Sequence, residues 1–426
     1  MNKRELNIPN AQTILRKPLA NGATLMAWQN GTSPAVSVQG IFYPGAIADT
    51  PGNYGLTAFS TAMLMTGTKK DDFQSLHEKI ESLGASINIR TGRLTSNFSV
   101  YCLSEDLPVI LDLLTDILTQ PIFPEDHFHR IKAQALTSLA ILAQNTGAMA
   151  KEAFSRLLYG EHPFAHPNIG YAKDINAITL DDLYNFHQSH FTPQGMIISA
   201  VGGLDPNTMA DIIENSLGTW QNTTTKEPAS IPDFQAPSTP QREHVTLEEK
   251  SQTDLIVGVL APPRKSLDYR IATLGNHILG QFGMMGRIGE SVREKAGLAY
   301  YVQSDLTGGL GPSSWEISAG VNPNNLDKAI SLIKEELKRF VNEPVLATEL
   351  EDSRSQLIGL LPLSLETNVS ISHTLLNIER YQQDLNYLIK FPTILKSISV
   401  QDILEVAQRY WQFDRLIVTS AGRAIS

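Results

Sequence analysis

Residues 178–203 read ITLDDLYNFHQSHFTPQGMIISAVGG, and residues 398–423 read ISVQDILEVAQRYWQFDRLIVTSAGR. At a constant offset the two stretches align without a gap. Asp182 meets Asp402, Leu183 meets Ile403, Phe191 meets Trp411, and Gly202 meets Gly422. Each copy reads as a capped helix followed by a strand, because a hydroxyl residue one turn before an acid opens a run with helical apolar spacing. A repeat at this distance makes the chain a duplication, and everything around the two copies bears that out.

Working outward, residues 221–244 are rich in Thr, Ser, Pro and Gln with no sustained apolar period, which predicts an extended linker. The boundaries expected are one domain over 1–220, the linker over 221–244, and a second domain over 245–426. In the first half a strand pattern over 36–43 precedes a helix beginning near Gly55. A second helix carries Phe73, Leu76, Ile80 and Leu83 on one face and stops at Gly84. Strands over 87–90 and 97–103 and a helix over 107–118 follow. The second half repeats the order: a strand over 255–260, a helix over 269–279, a short helix ending before Gly297, strands over 298–304 and 314–321, and a helix over 326–340. Segments 124–144 and 348–361 add a helix to each copy. Paired strands followed by helices predict an α+β fold: two homologous domains, each a mostly antiparallel sheet with helices packed on it.

Composition narrows the function. With 426 residues, 42% hydrophobic and 18% charged, the chain can bury sizeable cores. A net charge of -10 argues against nucleic-acid binding, which needs a basic surface, and favours basic or neutral peptides. The single Cys102 excludes an internal disulfide and a cysteine-based metal cluster, and reads as a plain strand residue. No apolar run suits a secretory signal or a membrane span, so a cytoplasmic protein without membrane association is the default expectation.

Histidines occur in pairs, His127 with His129, His162 with His166, and His187 with His190, but none has a third ligand at metal spacing. They read as surface or loop residues. Glycines 280, 283, 286 and 289 recur every three residues, which predicts close backbone approach rather than a nucleotide loop, since no Gly-Lys-Ser/Thr follows. Arg293 and Tyr300 flank Gly297, a predicted helix terminator. On pattern alone Arg293 complements a helix dipole. Strand alternation puts Tyr300 on the face of Leu298 and Val302, which would bury it and expose Tyr301.

Residues 55–68, GLTAFSTAMLMTGT, present Ala58, Thr61 and Ala62 along one helical stripe. This stretch resembles the M16, pitrilysin-like (inverzincin) zinc peptidases, whose catalytic copy carries His-x-x-Glu-His in a setting such as GLAHFLEHMLFKGT. Gly55, Leu56, Phe59, Met63, Leu64, Gly67 and Thr68 agree with it, while the two histidines fall on Ala58 and Ala62 and the glutamate on Thr61. The family's third ligand, a glutamate on a later helix that the resemblance matches to residues 130–138, falls nearest Ser138. VREKAGLAY, 292–300, fits the family's Arg-Glu-Lys-x-Gly-Leu-x-Tyr pattern and matches its arginine and tyrosine with Arg293 and Tyr300.

The resemblance implies half of a clam-shell and a split active site of the M16B type. This chain would hold no metal. A partner chain carrying His-x-x-Glu-His would supply zinc and the general base, and Arg293 and Tyr300 would hold substrate carbonyl oxygens and the oxyanion. Substrates would be unfolded or short peptides. The alternative is a non-catalytic structural or peptide-binding relative, including a homodimer. Met284, Met285 and Gly286 fall in a loop where relatives often carry other small or polar residues.

Overall fold

The computed structural model describes residues 8–221, 229–281 and 286–424. The chain forms two compact units, each assembled from three pieces of sequence: residues 1–139, 167–230 and 361–390 in the first, and 140–166, 231–360 and 391–426 in the second.

The first unit holds strands β1 (Leu15–Pro18), β2 (Thr24–Gln29), β3 (Ala35–Tyr43), β4 (Ser86–Thr91), β5 (Ser96–Leu103) and β6 (Thr192–Gly202) in the order β1-β2-β6-β3-β5-β4. Only β2 and β6 run parallel. The second unit holds β7 (Gln241–Thr246), β8 (Thr253–Leu260), β9 (Ala299–Leu306), β10 (Ser314–Val321) and β11 (Ile417–Gly422) in the order β7-β11-β8-β10-β9. Here only β7 and β11 are parallel. Leaving out β1, the two orders are the same, so the repeat in sequence is a repeat in topology. Pattern reading left Gln241–His244 in extended linker; they are part of β7.

The quoted repeat has a local cause. Thr179 and Asp182 form a capping box at the start of the helix Leu180–His190, with Thr179 N donating to Asp182 Oδ2 at 2.8 Å and Asp182 N donating back to Thr179 Oγ1 at 3.2 Å. Ser399 and Asp402 do the same for Val400–Tyr410, at 2.7 and 3.1 Å. Each reciprocal pair satisfies two backbone donors that no helical carbonyl can reach. Phe191 and Trp411, at matching positions, are both buried.

Each sheet is covered on both faces, and in each unit one of the covering helices comes from the other half of the sequence. In the first unit Val36, Val38, Phe42 and Phe98 pack with Leu111 and Leu114 on one side. Met26, Trp28 and Val201 pack on the other side with Ile371 and Leu375 from the helix Asn368–Arg380. In the second unit Val257, Trp315 and Ile317 join Leu337, Phe340 and Trp411. The helix Thr146–Tyr159 covers the opposite face, where Thr419 Oγ1 donates to Ala150 O at 2.9 Å. Burial on both faces explains why β3 and β8 are buried at nearly every position rather than at alternate ones. No helix among the described residues is long and apolar enough to cross a membrane.

Candidate functional site

The helix Leu56–Met63 begins where Gly55 turns at φ +93. That conformation suits glycine, and a Cβ there would also lie 2.6 Å from Ile169 O. Its free N–H groups are met by a carboxylate from the preceding turn. Asp49 accepts from Gly55 N at 2.8 Å, Thr57 N at 2.9 Å and Thr57 Oγ1 at 2.6 Å. Burial pushes the Asp49 carboxyl up to about 6, against the opposing pull of those three donors. At the other end Thr68 Oγ1 accepts from Lys70 N and Asp71 N, closing the turn that follows Gly67. Gly55, Gly67 and Thr68 therefore build the frame of this helix and take no chemical part.

Within that frame the stripe holds no metal ligand. Ala58 is half-buried, Ala62 is exposed, and neither has a lone pair. Thr61 is 2% exposed, and its hydroxyl lies 2.9 Å from Thr91 Oγ1, which also sits 3.3 Å from Thr57 O. A neutral hydroxyl engaged in this pair is a poor base near neutral pH. Ser138 is exposed on the helix Glu125–Leu142 and adds a neutral hydroxyl where a carboxylate would be needed. Two methyls and two alcohols do not fit zinc, which takes imidazole, thiolate or carboxylate.

The second unit presents a different surface. Gly289–Lys295 is a π-helix, a rare wider turn that recurs at functional sites, and Arg293 sits in its last turn, half-buried with its Nε 3.9 Å from Glu294 Oε1. Gly297 at φ +63 ends it, with Gly297 N donating to Arg293 O at 2.9 Å and Leu298 N to Val292 O at 3.0 Å. Strand β9 follows at once. Its register against β10 pairs Tyr301 with Gly320 but Ala299 with Val321, so Tyr300 is the extra residue of a β-bulge. This corrects the alternation argument. Tyr300 is 63% exposed, and Tyr301 is the half-buried one, because the bulge breaks the two-residue period that would have turned Tyr300 inward. The bulge is also what pattern reading missed, since it belongs to the pairing of β9 with β10 and not to the sequence of β9.

The remaining candidates resolve into structure. His187 Nε2 lies 2.9 Å from Leu118 O, and burial lowers the imidazole's affinity for a proton. His162 Nδ1 accepts from Phe164 N at 3.1 Å. His127 Nδ1 lies 2.8 Å from an Arg130 nitrogen, and His129 Nε2 lies 3.7 Å from Glu125. Among the described residues no three His, Cys, Asp or Glu side chains gather as a metal site. Cys102 is buried in β5 with its thiol pushed up to about 12 by burial, which makes it inert. Close backbone approach holds at Gly280, where a Cβ would lie 2.4 Å from Ser304 N, and at Gly286, 2.5 Å from Ile278 O. Gly283, Met284 and Met285 lie outside the described residues.

Comparison with known proteins now has a geometry to meet. Residues 25–170 match the family model described as Insulinase (Peptidase family M16), and residues 177–357 match Peptidase M16 inactive domain. The chain belongs to the M16 peptidase family. An uncharacterized zinc protease of Streptomyces coelicolor is 26% identical over 366 residues, which is 83% of this chain and 78% of that protein. One from Bacillus subtilis is 24% identical, over 84% and 86%. The crystal structure of a peptidase M16 inactive domain from Pseudomonas fluorescens matches with a TM-score of 0.88 at 26% identity, covering 97% and 99%. A protease from Helicobacter pylori matches at 0.90 with 17% identity, a likeness of fold alone. The M16 inactive-domain match contains Arg293 and Tyr300, and the insulinase match contains Ala58, Thr61, Ala62 and Ser138.

Proposed function

We propose that this chain is the metal-free subunit of a two-chain M16 endopeptidase. Its task is to bind the peptide and steady the charge that develops on the scissile carbonyl oxygen, through Arg293 and Tyr300. A partner of the same family, with His-x-x-Glu-His intact, holds the zinc and the general base. The observation that carries this reading is the unequal fate of the two motifs. The stripe Ala58-Thr61-Ala62 has no donor for a metal, yet Tyr300 is turned outward by a bulge that a packed strand residue does not require. An exposed phenol and a half-buried guanidinium are both hydrogen-bond donors, suited to carbonyl oxygens and to an oxyanion.

The test is reconstitution. The purified chain is expected to carry no stoichiometric zinc by elemental analysis and to leave a quenched-fluorescence peptide library uncut. Adding a His-x-x-Glu-His chain from the same source restores cleavage. Zinc held tightly by the isolated chain, or cleavage without a partner, defeats the proposal.

A further inference from the structure

Tyr301 lies in a row of residues that runs across three strands. In β10, Gly320 pairs with Tyr301 of β9 on one side and with Asp254 of β8 on the other. A Cβ at Gly320 would lie 2.5 Å from Tyr301 Cε1, so the tyrosine ring occupies the space that a side chain on the middle strand would take. Across that gap Tyr301 OH donates to Asp254 Oδ1 at 2.8 Å. Only glycine in the middle lets a side chain on β9 reach β8.

The far end of the row is held as firmly as the near one. Asp254 is 5% exposed and also accepts from Gln252 Nε2 at 2.8 Å and from Thr146 Oγ1 at the start of the helix Thr146–Tyr159. A buried carboxylate needs such donors, and Tyr301 supplies one of three. Burial together with Asp254 raises the Tyr301 phenol above its ordinary value, so it remains a donor at every physiological pH.

Tyr301 is the residue next to the bulge. An inserted residue in an edge strand has no cross-strand partner to fix it, and its side chain direction depends on how its neighbours are pinned. Ala299 is pinned by Val321 and Tyr301 by Gly320. We infer that Tyr301, bridging over Gly320 to Asp254, is the positioning residue for Tyr300: it clamps one side of the bulge so that the Tyr300 phenol points outward in a single direction. The geometric claim stands on the strands alone, and its catalytic consequence rests on the function proposed above.

Two measurements separate them. In the isolated chain, 3-fluorotyrosine placed at position 300 is read by fluorine NMR. The parent should give one resonance. Tyr301→Phe keeps the ring over Gly320 but loses the hydroxyl, and should displace or split that resonance. With Tyr301 intact, Asp254→Asn, which keeps an acceptor oxygen for the phenol, should keep the single line more nearly than Asp254→Ala does. An unchanged fluorine signal in Tyr301→Phe overturns the inference whatever the enzyme does. In the reconstituted complex, Tyr301→Phe should lower kcat about tenfold with little change in KM, well inside the roughly hundredfold that an ångström of misplacement costs. In a Tyr300→Phe background it should cost nothing further. Equal losses in both backgrounds would make Tyr301 merely structural and overturn it as well. If Tyr300→Phe itself leaves cleavage at the parent rate, the proposed function fails while the fluorine result still judges the clamp.

Discussion

Two helices of this molecule resemble motifs of the M16 family and differ in the side chains they present. Leu56–Met63 keeps its frame, with Asp49 on its free N–H groups and a glycine at each turn, while every position that could hold a metal has become a methyl or an alcohol. Gly289–Lys295 presents donors instead: its last turn holds Arg293, and the strand after it bulges to expose Tyr300. The difference teaches that the residues that support such a helix serve its stability, independently of whether its stripe carries donor atoms. Supporting residues are evidence of the helix; only the donor atoms bear on a reaction.

The largest test of that contrast is direct. In the reconstituted complex Tyr300→Phe should lower kcat by roughly a hundred- to a thousandfold, the usual loss for one oxyanion donor, or about 2.7–4 kcal/mol. Arg293→Ala should fall in the same range with part of the loss in KM, since a guanidinium also binds the ground state. Tyr300→Phe should move the melting temperature little, because Tyr300 is exposed. A large melting shift with unchanged kinetics would place both residues in the architecture and erase the contrast.

A second test asks what holds the π-helix in place. Arg287, at its entrance, donates from Nε to Glu349 Oε1 at 2.7 Å and lies 3.9 Å from Glu336, whose side chain is 4% exposed. Burial pushes the Glu336 carboxyl up, opposed by Arg339 and Arg287. Arg287→Met would leave Glu349 without its guanidinium and the deeply buried Glu336 with Arg339 alone, at 2.9 Å, and breaking such a cluster typically costs about 3–5 kcal/mol. Chemical denaturation should show this loss, and Glu336→Gln in the same chain should recover part of it.

Much of this was legible in advance because duplication is legible. The capping boxes at Thr179 and Ser399 declare themselves by spacing, and the apolar periods around them locate most strands and helices. Three features were not. An amphipathic helix shows which face is buried but not which sheet buries it, so nothing marks Thr146–Tyr159 or Asn368–Arg380 as covers for strands distant in sequence. Asp49 caps a helix that starts several residues later, beyond the range of capping patterns. The exposure of Tyr300 depends on a bulge, which is a property of pairing between β9 and β10 and leaves the alternation within β9 looking regular.

Asp49 gives the frame of the silent helix a measurable pH signature. Its pKa is raised to about 6 in the folded chain from an ordinary value of 3.8. The folded state therefore holds more protons than the unfolded one between those values, and the stability linked to this group is full below about pH 4 and lost as pH rises through 6. Two units correspond to about 3 kcal/mol. Asp49→Asn should flatten the difference in urea midpoint between pH 4.5 and 7 relative to the parent. An unchanged slope would mean that the three donors outweigh burial and keep the carboxylate charged.

The smallest effect bears most directly on the silent stripe. Thr91→Val removes the hydroxyl that Thr61 meets at 2.9 Å and leaves a 2%-exposed alcohol without that contact. A neutral hydrogen bond of this kind contributes about 0.5–1.5 kcal/mol, so a small drop in stability is expected. Because Thr61 stands where a general base would be, activity of the complex is the sharper readout. If cleavage is unchanged while the midpoint falls, Thr61 is a core hydroxyl and the stripe is chemically silent. If instead cleavage falls and stability holds, the alcohol pair takes part in the reaction, and the two helices differ in degree rather than in kind.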